Sequence, residues 1–349
     1  MNILYYTKRA EQRELLAVYK QNYSYNFIEY TSENKLENLN FLQRLGLLRE
    51  IKKFCADNSV DAIWVFGEMD AEFVLLLSAG KSLNLVTFCF QWAISFKKTG
   101  YDILHKNIAN SNINLNKKLL GKVKLLLKQV IYKTLGYDYR AAIYLGDGLA
   151  KYLVTLGPYW SEKFKQEGIS PNKIITGFFP FQYREFKIEG AQSVLVILGA
   201  GQEIYQHSVQ LKDWVKFLDR CGIDRANIVV RPHPKTSEKN LNDIVKFGLT
   251  VKKDQDLDAQ IHKSSAVCLD RSTVMLRCVQ MNKPIIFYED LPEAFLDISE
   301  MGFRLLTPTE QDAACRYYAS DREWLVGSEE KAIKTIKDVL ERNEHALSE

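Results

Sequence analysis

Short runs of consecutive apolar residues alternate along the chain with longer stretches whose apolar positions recur at helical spacing. Met1-Asn2-Ile3-Leu4-Tyr5-Tyr6 predicts an opening strand, and Asp61-Ala62-Ile63-Trp64-Val65-Phe66-Gly67 a buried strand closed by glycine. A helix is expected from Asp70 to Leu83, then another buried strand at Leu85-Val86-Thr87-Phe88-Cys89-Phe90. This β-α-β-α rhythm predicts a parallel sheet covered by helices. Ala141 to Leu145 reads as a strand running into Gly146-Asp147-Gly148, with a helical segment after it. Thr155 to Phe181 gives an aromatic helix, a Gly-Ile turn, a short strand and a Gly/Pro exit, and the charged stretch Arg184 to Gln192 reads as a linker.

A second sheet starts at Val194-Leu195-Val196-Ile197-Leu198-Gly199, with a helix from His207 to Arg220. Ile228-Val229-Val230 is the next strand, three β-branched residues in a row. Leu249-Thr250-Val251 reads as a short strand, Leu257 to Lys263 as a short helix, and Ser265 to Leu269 as a strand before a helix opening at Ser272-Thr273. Pro284 to Tyr288 is a further strand, and an amphipathic helix spans about Ser328 to Asn343. At 349 residues the chain exceeds the ~250–300 at which one core stops growing. The expected organisation is therefore two Rossmann-like α/β domains facing a central cleft, over 1–183 and 193–327, with a C-terminal helix and tail over 328–349.

Composition narrows the function classes. Apolar content of 46% and charged content of 26% are ordinary for a soluble globular enzyme. A net charge of +4, with no Lys/Arg run to track a phosphate backbone, argues against nucleic acid as a partner. Cys55, Cys89, Cys221, Cys268, Cys278 and Cys315 are scattered and form no C-x-x-C pair, as expected of reduced core residues in a cytoplasmic protein. The N-terminus reads as a strand and not as a signal peptide, and no apolar run approaches the roughly 20 residues of a membrane span. Lys117 to Lys133 carries lysines and no acid, with Leu119, Val123, Leu126, Leu127 and Val130 on one helical face. A helix resting on the inner face of the cell membrane, or on a lipid-linked acceptor, explains it as well as an ordinary solvated surface helix does. No G-x-G-x-x-G or G-x-x-x-x-G-K-[ST] loop follows a strand, which argues against nicotinamide, flavin and P-loop chemistry.

Candidate chemistry gathers at strand ends. Arg231-Pro232-His233-Pro234 stops its strand abruptly, because neither proline donates to a sheet ladder and each restricts the residue before it. An arginine and a histidine are thereby held at the carboxyl end of a strand, where open α/β sheets bind ligands. Taken alone, the segment is also a plain Pro-rich strand exit. Glu68 and Asp70 either face a cleft or begin the next helix. Gly146-Asp147-Gly148 presents a carboxylate, and alone it is a turn. Ser272 and Thr273 serve either as caps or as part of an anion site. Glu289 and Asp290 sit where a carboxylate holds a ribose diol, as well as where surface loops carry acids. Asp254-Gln255-Asp256 lies in a polar loop and reads as solvated.

Asp147-Gly148, then Gly201-Gln202, then His233-Pro234, then Ser272-Thr273 form an ordered series. The series resembles that of the bacterial sialyltransferases and polysialyltransferases, GT-B enzymes that use CMP-activated nonulosonic acids. The His-Pro and Ser/Thr parts also resemble capsular Kdo transferases and CDP-glycerol glycerophosphotransferases. The pattern in sialyltransferases commonly has two acids before the glycine, whereas this chain has Gly146 before Asp147. The resemblance implies a GT-B-like fold and an inverting, metal-independent transferase with no cofactor. Its donor would carry sialic acid, pseudaminic or legionaminic acid, or Kdo, and its acceptor would be a hydroxyl of a capsule, lipopolysaccharide or O-antigen glycan. Asp147 would be the general base, and His233 would serve the leaving phosphate. Gly201, Gln202, Arg231, Pro234, Ser272, Thr273 and Glu289 would complete the nucleotide site. Three alternatives stand beside this one: a CDP-glycerol-type polyol phosphotransferase, a UDP-N-acetylglucosamine 2-epimerase-like enzyme, and a catalytically silent subunit of a glycan-assembly complex.

Overall fold

The computed structural model of the chain describes residues 1–31, 41–68, 70–95, 98, 145–180, 193–198, 216, 219, 223–234, 236–253, 256–269, 272–287, 297, 300–305, 317–319 and 321–348. The chain divides into two compact units, Met1–Pro180 with Gly327–Glu349, and Phe181–Val326. The basic stretch 117–133 and the linker 184–192 lie outside the described residues.

The first unit is built on β1 (Asn2–Tyr5), β2 (Asn26–Glu29), β3 (Ala62–Val65), β4 (Val86–Phe90), β5 (Tyr152–Val154) and β6 (Ile174–Ile175). Their order is β2-β1-β3-β4-β5-β6, and every pairing is parallel. Among the described residues between β1 and β6 the α-helices are α1 (Ala10–Gln21), α2 (Phe41–Asp57), α3 (Ala71–Ser82) and α4 (Pro158–Gln166). β3 and β4 are buried at every residue, as central parallel strands covered on both faces must be, whereas edge strand β2 is exposed at both ends. α3 packs on β3, β4 and α2, so every residue from Glu72 to Gly80 is buried. Trp64 of β3 is fully buried among the rings of Tyr19, Tyr23, Phe27, Phe88 and Phe90.

The second unit contains β7 (Val194–Ile197), β8 (Ile228–Arg231), β9 (Thr250–Val251), β10 (Ala266–Leu269), β11 (Ile285–Phe287), β12 (Phe303–Leu305) and β13 (Tyr317–Ala319). Their order is β12-β13-β11-β10-β7-β8-β9. β7 to β11 are parallel, and β13 and β12 extend one edge antiparallel. Among its described residues the α-helices are α5 (Glu238–Lys246), α6 (Leu257–Lys263), α7 (Val274–Gln280) and α8 (Arg322–Val326). Alternation sends Val194, Val196 and Leu198 into one core with Ile228, Val230, Ala266 and Cys268, closed by Ile244 of α5.

The chain then returns to the first unit as α9 (Glu329–Ser348). Tyr23 Oη donates to the Ile333 carbonyl at 3.0 Å, and Lys151 Nζ to Asn343 Oδ1 at 2.9 Å. The helix that the sequence sets apart as a tail thus belongs to the first unit, and it runs five residues beyond Asn343.

One further expectation changes. The segment after Gly148 is strand β5, not a helix: Leu153 pairs with Cys89 on one side and Ile174 on the other. Sheet pairing with distant strands overrides its short-range helical spacing. β12 and β13, three residues each, carry too little pattern to read in advance.

Cys55, Cys89, Cys268 and Cys278 are buried free thiols. Burial pushes the Cys55 thiol up to about 11 and raises those of Cys89 and Cys278 as well. Thiolate is the reactive form. Ellman's reagent is therefore expected to modify at most two of the six cysteines in the native chain and all six after denaturation. Rapid modification of three or more in the native chain contradicts this core.

Candidate functional site

In the second unit the chain builds outward from β7 through β8 to β9, then resumes on the other side at β10. The strand order therefore reverses at the β7–β10 boundary. In doubly wound sheets ligands bind outside the carboxyl ends of the strands at such a point. Leu269, Ile197 and Arg231 pair side by side across β10, β7 and β8, so these three strands reach the carboxyl edge level with one another. The loop bearing His233 leaves β8, and the loop reaching Ser272 and Thr273 leaves β10. Both flank the exit of β7, beyond which Gly201 and Gln202 lie outside the described residues, as Glu289 does beyond β11.

The prolines act as the sequence predicts. β8 ends at Arg231, Pro232 is buried, and the His233 carbonyl accepts from Thr236 N at 2.8 Å. His233 is held in a tight turn, half-buried, with Pro234 exposed beside it. Arg231 Nη1 donates to Gln260 Oε1 of α6 at 2.7 Å, and Gln260 Nε2 donates to the Lys252 carbonyl at 3.2 Å. Burial pushes the Arg231 guanidinium below its ordinary value, with Asp256 opposing. The exposed Asp256 carboxylate caps α6, accepting from Ala259 N at 3.0 Å. Ser272 and Thr273 stand at the start of α7, where Ser272 Oγ accepts from Val274 N at 3.3 Å and its carbonyl from Met275 N at 3.0 Å.

In the first unit the order reverses between β1 and β3. Lys8, past β1, spans this point to reach Glu72 Oε1 at 3.0 Å and Asp70 Oδ2 at 3.5 Å. Burial alone lowers an ammonium, but the two carboxylates outweigh it and hold Lys8 above its ordinary value. Asp70 occupies the N-cap of α3 without a side-chain capping bond. Glu68 neither faces solvent nor caps the helix: it is fully buried. Its Oε2 accepts from Gly146 N at 2.7 Å and Gly148 N at 3.3 Å, and its Oε1 from Ala150 N at 2.9 Å. Lys173 Nζ donates to the Gly146 and Gly148 carbonyls at 2.6 and 2.9 Å and lies 3.8 Å from Glu68 Oε1. Between these anchors Asp147 is exposed, its Oδ2 3.4 Å from Lys98 Nζ.

The sequence reading missed Lys98 and Lys173 and the part that Glu68 plays. The one available signal was the pair of glycines around Asp147, which marks a backbone approached closely from outside. Among the described residues no group of three or more His, Cys, Asp or Glu side chains is gathered closely enough to hold a metal ion. None of the described helices is long and apolar enough to cross a membrane.

No protein-family model matches the chain, and no curated protein matches it in sequence. Solved structures do match in fold. The UDP-GlcNAc 2-epimerase of Methanocaldococcus jannaschii has a TM-score of 0.55 at 12% identity, covering 98% of this chain and 99% of its own. The glycotransferase of kitacinnamycin has a TM-score of 0.55 at 11% identity, covering 98% of each chain. MnaA of S. aureus, solved with UDP, has a TM-score of 0.53 at 10% identity, covering 98% of this chain and 89% of its own. The fold is α/β and GT-B-like, with two Rossmann-like units.

Proposed function

We propose that the chain is an inverting glycosyltransferase that moves a nonulosonic acid from a CMP-activated donor to a hydroxyl of a bacterial surface glycan. The observation that carries this reading is the placement of His233 and of Ser272 with Thr273 on loops flanking the exit of β7, at the reversal of strand order. The choice of CMP and of the nonulosonic acid rests on the motif resemblance alone.

In this mechanism the acceptor hydroxyl attacks the anomeric carbon while the bond to the CMP phosphate breaks, so configuration inverts. Asp147 takes the acceptor proton as general base. His233 donates to the phosphate oxygen on which charge grows, with the Ser272 and Thr273 hydroxyls as further donors. These donors neutralise the leaving group without a metal ion or a cofactor. Arg231, tied to Gln260, serves the nucleotide only after exchanging that partner. Gly201, Gln202 and Glu289 complete the proposed nucleotide site. The cytoplasm is the proposed location, and the 117–133 segment the proposed contact with membrane or with a lipid-linked acceptor.

A second reading, a UDP-N-acetylglucosamine 2-epimerase-like enzyme, is favoured by the likeness to the M. jannaschii epimerase. Nucleotide preference separates the readings. A ligand at 100 times its Kd that binds only the folded state adds about 2.7 kcal/mol of stability. For a unit of this size that is a rise in Tm of about 5–10 °C. CMP is expected to produce this shift, with CDP, UMP and UDP at equal concentration giving less. A preference for UDP sinks the CMP assignment and favours the epimerase, a preference for CDP favours polyol phosphate transfer, and no shift with any of the four favours the silent subunit.

A further inference from the structure

We propose that Glu68 is the positioning residue for Asp147, a role that rests on the reading of Asp147 as the acceptor's base. A fully buried carboxylate is tolerated only where donors replace its water. Glu68 takes its donors from alternate residues of one turn, the amides of Gly146, Gly148 and Ala150. The backbone therefore wraps around the carboxylate, and Asp147, between the first two donors, is left exposed.

The glycines fit this arrangement and nothing bulkier does. Gly146 has φ +96°, a conformation that side chains rarely adopt, and a Cβ on Gly148 would lie 2.6 Å from the Glu68 carboxyl carbon. Lys173 closes the other side by holding the Gly146 and Gly148 carbonyls. Both backbone polar groups of each glycine are thus committed, and the turn has little freedom to carry Asp147 elsewhere.

Glutamine at position 68 keeps the shape but turns one acceptor oxygen into an NH2 that meets a backbone N–H. Aspartate is one methylene shorter and reaches only part of the set. A displacement of about 1 Å at a reacting group lowers rate by about 10²-fold. Glu68→Gln is therefore expected to lower kcat by about that factor while leaving KM for the donor unchanged, since the proposed nucleotide residues lie in the other unit. Glu68→Asp should recover part of the loss. Gly148→Ala, which retains the glutamate but forces its carboxylate and the turn apart, should reproduce the kcat loss.

The test measures CMP release from CMP-N-acetylneuraminate by the full-length chain, normalised to the folded fraction from circular dichroism. It is paired with hydrogen exchange at 145–150 for wild type, E68Q, E68D, G148A and D147N. Faster exchange in E68Q and G148A, with lowered kcat and unchanged KM, supports the role. Turnover lost in D147N but intact in folded E68Q and G148A overturns it while leaving Asp147 as base. Full turnover in D147N, or none in wild type, overturns the base reading and this inference with it. Unchanged exchange at 145–150 in E68Q overturns the clamp itself.

Discussion

His233→Ala is expected to lower nucleotide-dependent turnover by two or more orders of magnitude while the protein stays folded. Removal of a positioned acid–base group has a typical effect of 10²–10⁴-fold. The turn keeps its backbone supports in the variant: β8 ends before position 233, buried Pro232 anchors the turn, and the Thr236 N–H bond uses the backbone carbonyl, which alanine retains. Stability should change by less than about 1 kcal/mol, as for substitutions away from core features. Steady-state turnover of the purified variant beside its thermal melt checks both halves. Near wild-type turnover removes His233 from the mechanism, and a collapsed melt would make it a structural residue. The loss should be larger in kcat than in KM, because charge on the departing phosphate oxygen grows only as the bond breaks.

Trp64→Ala is expected to destabilise the first unit by about 3–5 kcal/mol, the range for large aromatic side chains removed from a core. Trp64 is 0% exposed and meets five aromatic rings contributed by α1, β4 and the segment between α1 and β3. Such a loss is a large share of the 5–15 kcal/mol that holds a domain together. Trp64→Phe should cost markedly less. It keeps most of the ring and removes an indole N–H that finds no hydrogen-bond partner among the described residues. Chemical denaturation followed by circular dichroism reads both variants. Equal destabilisation by the two substitutions would contradict this account of the core.

The two candidate regions differ in how far the sequence exposes them. His233 was legible because its cause is local: two prolines after three β-branched residues end a strand whatever surrounds it. Ser272 and Thr273 were legible for a similar reason, standing where an apolar strand gives way to helical spacing. Arg231 stands just before that turn, and its guanidinium reaches Gln260, 29 residues further along. Pattern says which residue follows a strand but not which distant side chain lies within its reach. Asp147 is intermediate. Its glycines marked a turn, but the carboxylate that shapes the turn is Glu68, 78 residues earlier than Gly146.

What the sequence by itself determined is the run of buried strands and covering helices, the division into two α/β units and the rigid exit at His233. These follow from periodicity and from backbone restrictions that act over a few residues. Only the tertiary structure decided that the segment after Gly148 joins a sheet, that α9 closes the first unit and that Glu68 faces inward to the Gly146–Ala150 amides. It alone tied Arg231 to α6. Each of these depends on residues far apart in the chain, where a buried polar group must take whichever partner the fold brings within about 3 Å.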